Sequence, residues 1–127
     1  MNDTLRQLTL SRKKAHKTLL DLKSPVYAAF LDMERATYAD GHLPKMSKEL
    51  IAVGISVVID CHSCMQWHIE QAKASGATLR QVLEAVEVGI EMGGGPATVS
   101  ARFALEVMED VFGPDALREA AQAPSKP

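Results

Sequence analysis

The chain has 127 residues, of which 46% are hydrophobic and 24% charged, with a formal net charge of -2. That is ordinary globular composition for one domain, and it excludes intrinsic disorder. The near-neutral balance offers no basic surface for a phosphate backbone, which argues against nucleic acid as a partner.

The elements follow in chain order. Met1 to Arg6 contain no apolar run, so no secretory leader is expected. Residues 1–23 are polar and basic, with Arg12, Lys13, Lys14, His16 and Lys17 close together. Leu5, Leu8, Leu19 and Leu22 give this arm a helical apolar stripe, and its basic run reads as a solvated face. Ser24-Pro25 predicts an N-cap followed by proline at the first helical position. Tyr27, Phe30, Leu31 and Tyr38 continue that helix to Asp40-Gly41. Ser47 is expected to cap a helix through Leu50, Ile51, Gly54, Ile55 and Val58, with a wide apolar face at the centre of the domain. Asp60 is the expected N-cap of the next helix. Thr78 caps another, carrying Leu79, Val82, Leu83, Val86 and Ile90. Gly93-Gly94-Gly95-Pro96 ends it. With no preceding strand and no following Lys-Ser/Thr, this run reads as a turn between helices, not a phosphate loop. A long helix then carries Ala97, Ala101, Ala104, Leu105, Met108 and Val111 to Gly113-Pro114. One short turn is expected over 115–123, and the tail 123–127 reads as frayed.

The expected class is therefore all-α, about six helices in a single domain spanning 1–127. Its parts are a basic helical arm (1–23), a core (24–113) and a C-terminal tail (114–127). One competing sign is the β-branched run Gly54 to Ile59, which favours strand and would feed a C-x-x-C in the thioredoxin-like manner. No partner strand is found for it, and an unpaired buried strand would orphan its backbone groups. The longest apolar stretch, Leu50 to Ile59, is about half the ~20 residues of a membrane span. No membrane association is expected, and the expected location is cytoplasmic. In that reducing setting a close cysteine pair is catalytic or metal-binding sooner than a permanent bridge.

The two cysteines lie in Asp60-Cys61-His62-Ser63-Cys64-Met65-Gln66-Trp67-His68. On a helix, Cys61 and Cys64 are i,i+3, and Cys64 and His68 are i,i+4, so all three share one face. A thiolate is the reactive form of cysteine, and a helix N-terminus or a neighbouring imidazolium favours it. The helix end selects Cys61 and His68 selects Cys64, and on the residues alone both stay open. A histidine acting as base needs an orienting acid. Glu49 is the best candidate, twelve residues before Cys61. Twelve helical residues rise ~18 Å, so Glu49 meets His68 only if two helices cross suitably.

Glu49 followed by Cys61-x-x-Cys64-x-x-x-His68 resembles the AhpD-like alkylhydroperoxidase group of the carboxymuconolactone decarboxylase superfamily. The similarity extends over roughly residues 25–112. It takes in the capped helix before the motif and Ala74-Ser-Gly-Ala-Thr78 after it. The resemblance implies an all-helical fold that assembles as a homotrimer or homohexamer. It implies reduction of a hydroperoxide, or of a partner peroxiredoxin's disulfide, at the expense of a dithiol reductant or partner redox protein. It implies no cofactor and no metal. By resemblance Cys64 attacks the peroxide, Cys61 resolves it, His68 deprotonates Cys64, and Glu49 positions His68 through water. In one respect the chain departs from the group, whose members carry a further histidine where this chain has Ser63. The neighbouring His62 lies ~100° away around a helix. The decarboxylases of the superfamily lack the cysteine pair, which disfavours that activity here.

Two other readings compete with the enzyme: a non-enzymatic redox sensor, and a zinc-stabilised module in which Glu49 or His62 completes a Cys61, Cys64, His68 set. Buried small hydrophobes are the structural alternative for the cysteines. Trp67 and Met65 read as packing residues, His16 and His42 as surface residues, and Glu84, Glu87 and Glu91 as a solvated face.

Overall fold

The computed structural model describes residues 2–123. The expected frayed tail, from residue 124 on, lies outside the described residues. The described residues form seven helices and no strand, and the chain divides into two compact units at Pro44–Lys45.

The first unit holds α1 (Asp3–Asp21) and α2 (Pro25–Tyr38). Asn2 caps α1, accepting from the Leu5 N–H at 2.8 Å. The α1–α2 junction is a left-handed helix stop: Lys23 has φ 54°, its N–H donates to Leu20 O, and the Ser24 N–H donates to Leu19 O. Ser24 then starts α2, as its sequence indicates, accepting from the Tyr27 N–H at 3.1 Å with Pro25 at the first position. His16 Nδ1 and the Tyr27 hydroxyl, 2.5 Å apart, tie the two helices together. No residue of α2 is buried, and Val26 and Met33 are more than half exposed.

The second unit holds α3 (Lys45–Val58), α4 (His62–Ala74), α5 (Leu79–Gly93), α6 (Gly95–Phe112) and α7 (Pro114–Gln122). α3 packs on α4, α5 and α6, and α4 and α5 also pack on α6. Val53, Val57, Met65, Ile69, Val82, Val86 and Val107 are sealed from solvent. α4 ends in a second left-handed stop at Gly76 (φ 101°), with Ala77 N–H bonded to Ala72 O. Thr78 starts α5 through a full capping box, exchanging bonds with Gln81 as expected for that sequence. α7 is longer than the single turn expected. The Arg80 guanidinium of α5 donates to the carbonyls of Ala120 and Ala123, satisfying acceptors at its open end.

The β-branched run forms the last turns of α3, so the thioredoxin-like alternative is excluded. Packing against three helices outweighs the local strand preference there. α3 also differs from expectation at its start and around its face. It starts at Lys45, directly after Pro44, so Ser47 lies in the first turn instead of capping it. Its buried face carries Glu49, Val53, Gly54, Ser56 and Val57, while Ile51, Ile55 and Val58 are 44–54% exposed. α3 is central in connectivity but not wrapped all round. Its exposed aliphatic residues and α5's Val88 and Met92 line an open apolar groove of about 630 Å³.

Under this groove the two helices approach closely. A Cβ added at Gly89 would lie 2.7 Å from the Gly54 carbonyl oxygen, so only glycine fits that position without a shift. Among the described residues no helix is long and apolar enough to cross a membrane.

Candidate active site

The site begins where α3 stops. Asp60 has φ 54° and is the left-handed residue of a helix stop: its N–H donates to Val57 O and the next N–H, from Cys61, donates to Ser56 O at 3.0 Å. Asp60 is therefore the end of α3, not the expected cap of α4. Short side chains such as Asp serve both roles, and the tight turn here selects the left-handed one. The cap of α4 is Cys61 itself. Its Sγ accepts from the Cys64 N–H at 3.2 Å, and its carbonyl accepts from the Met65 N–H at 2.9 Å. This places Cys61 and Cys64 across the first turn with Cα atoms 5.2 Å apart, joined as a disulfide. Both cysteines are partly exposed.

His68 lies one turn beyond Cys64 on the same helix face. Its ring is 14% exposed and its Nδ1 lies 2.6 Å from Oε1 of Glu49, itself 1% exposed. Against an ionised carboxylate, which only accepts hydrogen bonds, Nδ1 is the donor. In the neutral imidazole Nε2 is then the proton-accepting nitrogen. The contact is direct, not through water. α3 and α4 pack so that the second turn of one meets the middle of the other. The second carboxylate oxygen, Oε2, lies 2.5 Å from Nζ of Lys45, one turn back on α3. Lys45 is absent from the sequence-derived site, although its i,i+4 spacing to Glu49 is readable there.

His62 goes elsewhere. It is six residues from His68, ~240° around the helix. Its ring stacks on Phe103 of α6 with centroids 4.2 Å apart and planes within 4°. Its Nε2 is 3.4 Å from Asp60 Oδ1, with both side chains more than half exposed, a pairing worth little in water. Ser63 is exposed, Met65 and Gln66 are buried, and Trp67 is half-buried. Glu84, Glu87 and Glu91 all face solvent. Among the described residues no group of three or more His, Cys, Asp and Glu side chains is arranged to hold a metal ion.

Cys61, Cys64, His68 and Glu49 are thus carried by two packed helices: a partly exposed cysteine pair, an imidazole one turn further along the same helix, and a buried carboxylate bonded to that imidazole. Such a site can cycle between dithiol and disulfide and can move a proton. The helical fold is shared with known proteins. A carboxymuconolactone decarboxylase family protein from Legionella pneumophila superposes with TM-score 0.82 at 28% identity, covering 88% of this chain and 99% of that one. One from Thermotoga maritima, for which a part in the antioxidative response has been suggested, shares the fold with TM-score 0.75 at 22% identity, over 91% of this chain and 93% of that one. In sequence, uncharacterized protein 4 in the cox locus of Paracoccus denitrificans is 40% identical over 85 residues, 67% of this chain and 77% of its own length. An uncharacterized protein of Cupriavidus necator is 42% identical over 78 residues, 61% of this chain and 69% of that one. The model of the carboxymuconolactone decarboxylase family matches residues 24–107, a span that contains the whole helix crossing, and the chain belongs to that family.

Proposed function

We propose that the protein is a thiol-dependent hydroperoxide reductase of the AhpD-like kind, with Cys64 as nucleophile, Cys61 as resolving thiol and Glu49–His68 as proton relay. The observation that carries this reading is the buried Glu49 carboxylate held against His68 on the helix of the disulfide. A structural disulfide needs no such neighbour.

In the reduced protein His68 Nε2 takes the Cys64 thiol proton. The thiolate attacks the distal peroxide oxygen, the O–O bond breaks, and Cys64 becomes a sulfenic acid. The departing alkoxide takes up the proton and leaves as the alcohol. Cys61 then condenses with the sulfenic acid, forming the S–S bond and releasing water. A dithiol donor restores the pair by two exchange steps, itself becoming a disulfide. When the donor attacks Cys64 Sγ, negative charge develops on Cys61 Sγ, at which the Cys64 N–H is already aimed. That bond favours Cys61 as the leaving sulfur. The resemblance of the Glu49, Cys61, Cys64 and His68 spacing to the AhpD-like group supports the same assignment.

The cycle needs a reducing pool, which fits a cytoplasmic protein. The open groove along α3 and α5 leaves aliphatic side chains exposed that self-association into the trimer or hexamer of the AhpD-like group would cover. Stopped-flow mixing of the reduced protein with cumene hydroperoxide tests the mechanism. The wild type consumes peroxide and loses both thiols, while Cys64→Ser consumes none. Unchanged consumption by Cys64→Ser would refute the assignment.

A further inference from the structure

Glu49 presents two carboxylate oxygens, and His68 uses only one of them. Oε1 faces His68 Nδ1 at 2.6 Å, while Oε2 faces Lys45 Nζ at 2.5 Å. Among the described residues these are the charged or titratable groups that meet the carboxylate, one from its own helix and one from α4. The Glu49 side chain is 1% exposed and that of Lys45 38%, so the ammonium reaches a sealed carboxylate from the rim of the fold.

A carboxylate in that position needs a compensating charge. His68 cannot supply one and still serve as a base, because a neutral imidazole is what accepts the proton. Lys45 supplies it at the other oxygen. The alternative is a neutral carboxylic acid, which donates as well as accepts. With its O–H turned toward His68, Nδ1 would have to accept and the ring proton would shift to Nε2. The nitrogen needed to take a thiol proton would then already hold one. An ammonium is a donor only, and its charge favours the anion, both of whose oxygens accept. The sequence Lys45–Glu49–His68 is thus ordered donor, double acceptor, donor.

We propose that Lys45 is a positioning residue which, acting through Glu49, holds His68 as the Nδ1–H tautomer with Nε2 as the proton acceptor. The kinetic consequence rests on the reductase reading, whereas the tautomer does not. Lys45 is the first residue of α3 and lies partly in solvent, so replacing it with Met keeps the aliphatic stem and removes the charge. Nitrogen-15 spectra of histidine-labelled protein, with His68 assigned by its loss in His68→Asn, read the two ring nitrogens separately.

The wild type is expected to show a protonated Nδ1 and an unprotonated Nε2. Lys45→Met is expected to lose or reverse that pattern and to slow peroxide consumption at least tenfold, and Lys45→Arg to restore both. Lys45→Gln makes the same comparison should the Met variant lose its helical circular dichroism. A wild-type tautomer in a folded Lys45→Met or Lys45→Gln protein overturns the proposal. A wild type inert to hydroperoxides refutes the reductase reading instead, and the nitrogen spectra alone then decide the role of Lys45.

Discussion

The close approach of α3 and α5 at Gly89 makes Gly89→Ala a demanding test of the fold. The added Cβ would sit 2.7 Å from the Gly54 carbonyl oxygen and 3.0 Å from Val57 Cβ. Neither neighbour is a flexible chain end, so the helices must part by roughly 0.7 Å, and a gap of 0.5–1 Å forfeits about a quarter to a half of a dispersion well. The buried valines on both helices, Val53 and Val57 on α3 and Val82 and Val86 on α5, share that loss. Overpacking of this kind costs about 1–3 kcal/mol. Alanine returns up to about 1 kcal/mol because it is the better helix former. Strain wins, and the net expectation is a loss of about 1–2 kcal/mol, or roughly 4–8 °C in Tm. Urea titration followed by circular dichroism measures it as a lower midpoint at constant slope. Gly95→Ala is the matched control: a Cβ there meets nothing within 4 Å, so its midpoint should stay within about 0.5 kcal/mol of wild type or rise. A Gly89→Ala protein as stable as wild type would refute the close-packed seam.

Three further outcomes are expected. Glu49→Gln puts an amide NH₂ against either Lys45 or His68, both donors, and with the NH₂ toward His68 the ring proton moves to Nε2. Sulfenic acid formation at Cys64, trapped with dimedone, should fall by about 10²–10⁴-fold while the helical spectrum is kept. Thr78→Ala removes half of the capping box and should cost about 1 kcal/mol in the urea midpoint. Ile55→Lys places a charge in the α3–α5 groove, where Ile55 is 54% exposed. Sedimentation velocity should show a smaller species than wild type, and an unchanged coefficient would remove the groove as the assembly surface.

The parts of this structure legible in sequence are those fixed within one turn of chain. Ser24-Pro25 and Thr78 start their helices because a cap needs only a side-chain oxygen and the next three residues. Asp60 shows where that logic is ambiguous. The same residue suits a cap and a left-handed stop, and the choice depends on Cys61 N–H finding Ser56 O. The face of α3 is harder still. Ile51, Ile55 and Val58 have the period of a core stripe, yet the core side is set by which neighbours arrive, and it holds Glu49 and Ser56. The contact between Glu49 and His68 joins residues nineteen apart. Sequence supplies both partners, while only the crossing of α3 and α4 brings them together. Lys45 was within reach, one turn from Glu49, but nothing local marks that carboxylate as buried and in need of a counter-charge.

The Cys61–Cys64 bond closes a loop of only four residues inside a turn that Asp60 and the cap of α4 already hold. A crosslink that short removes little freedom from the unfolded chain, about 2 kcal/mol in the loop-entropy model, against ~4.7 for a loop of a hundred residues. Thermodynamic linkage runs both ways: what a disulfide adds to the fold, the fold adds to the disulfide. A crosslink joining distant segments would be locked shut by the stability of the whole molecule. Here folding exerts only a weak pull on the thiol–disulfide equilibrium, leaving it responsive to the electron donors and acceptors around it.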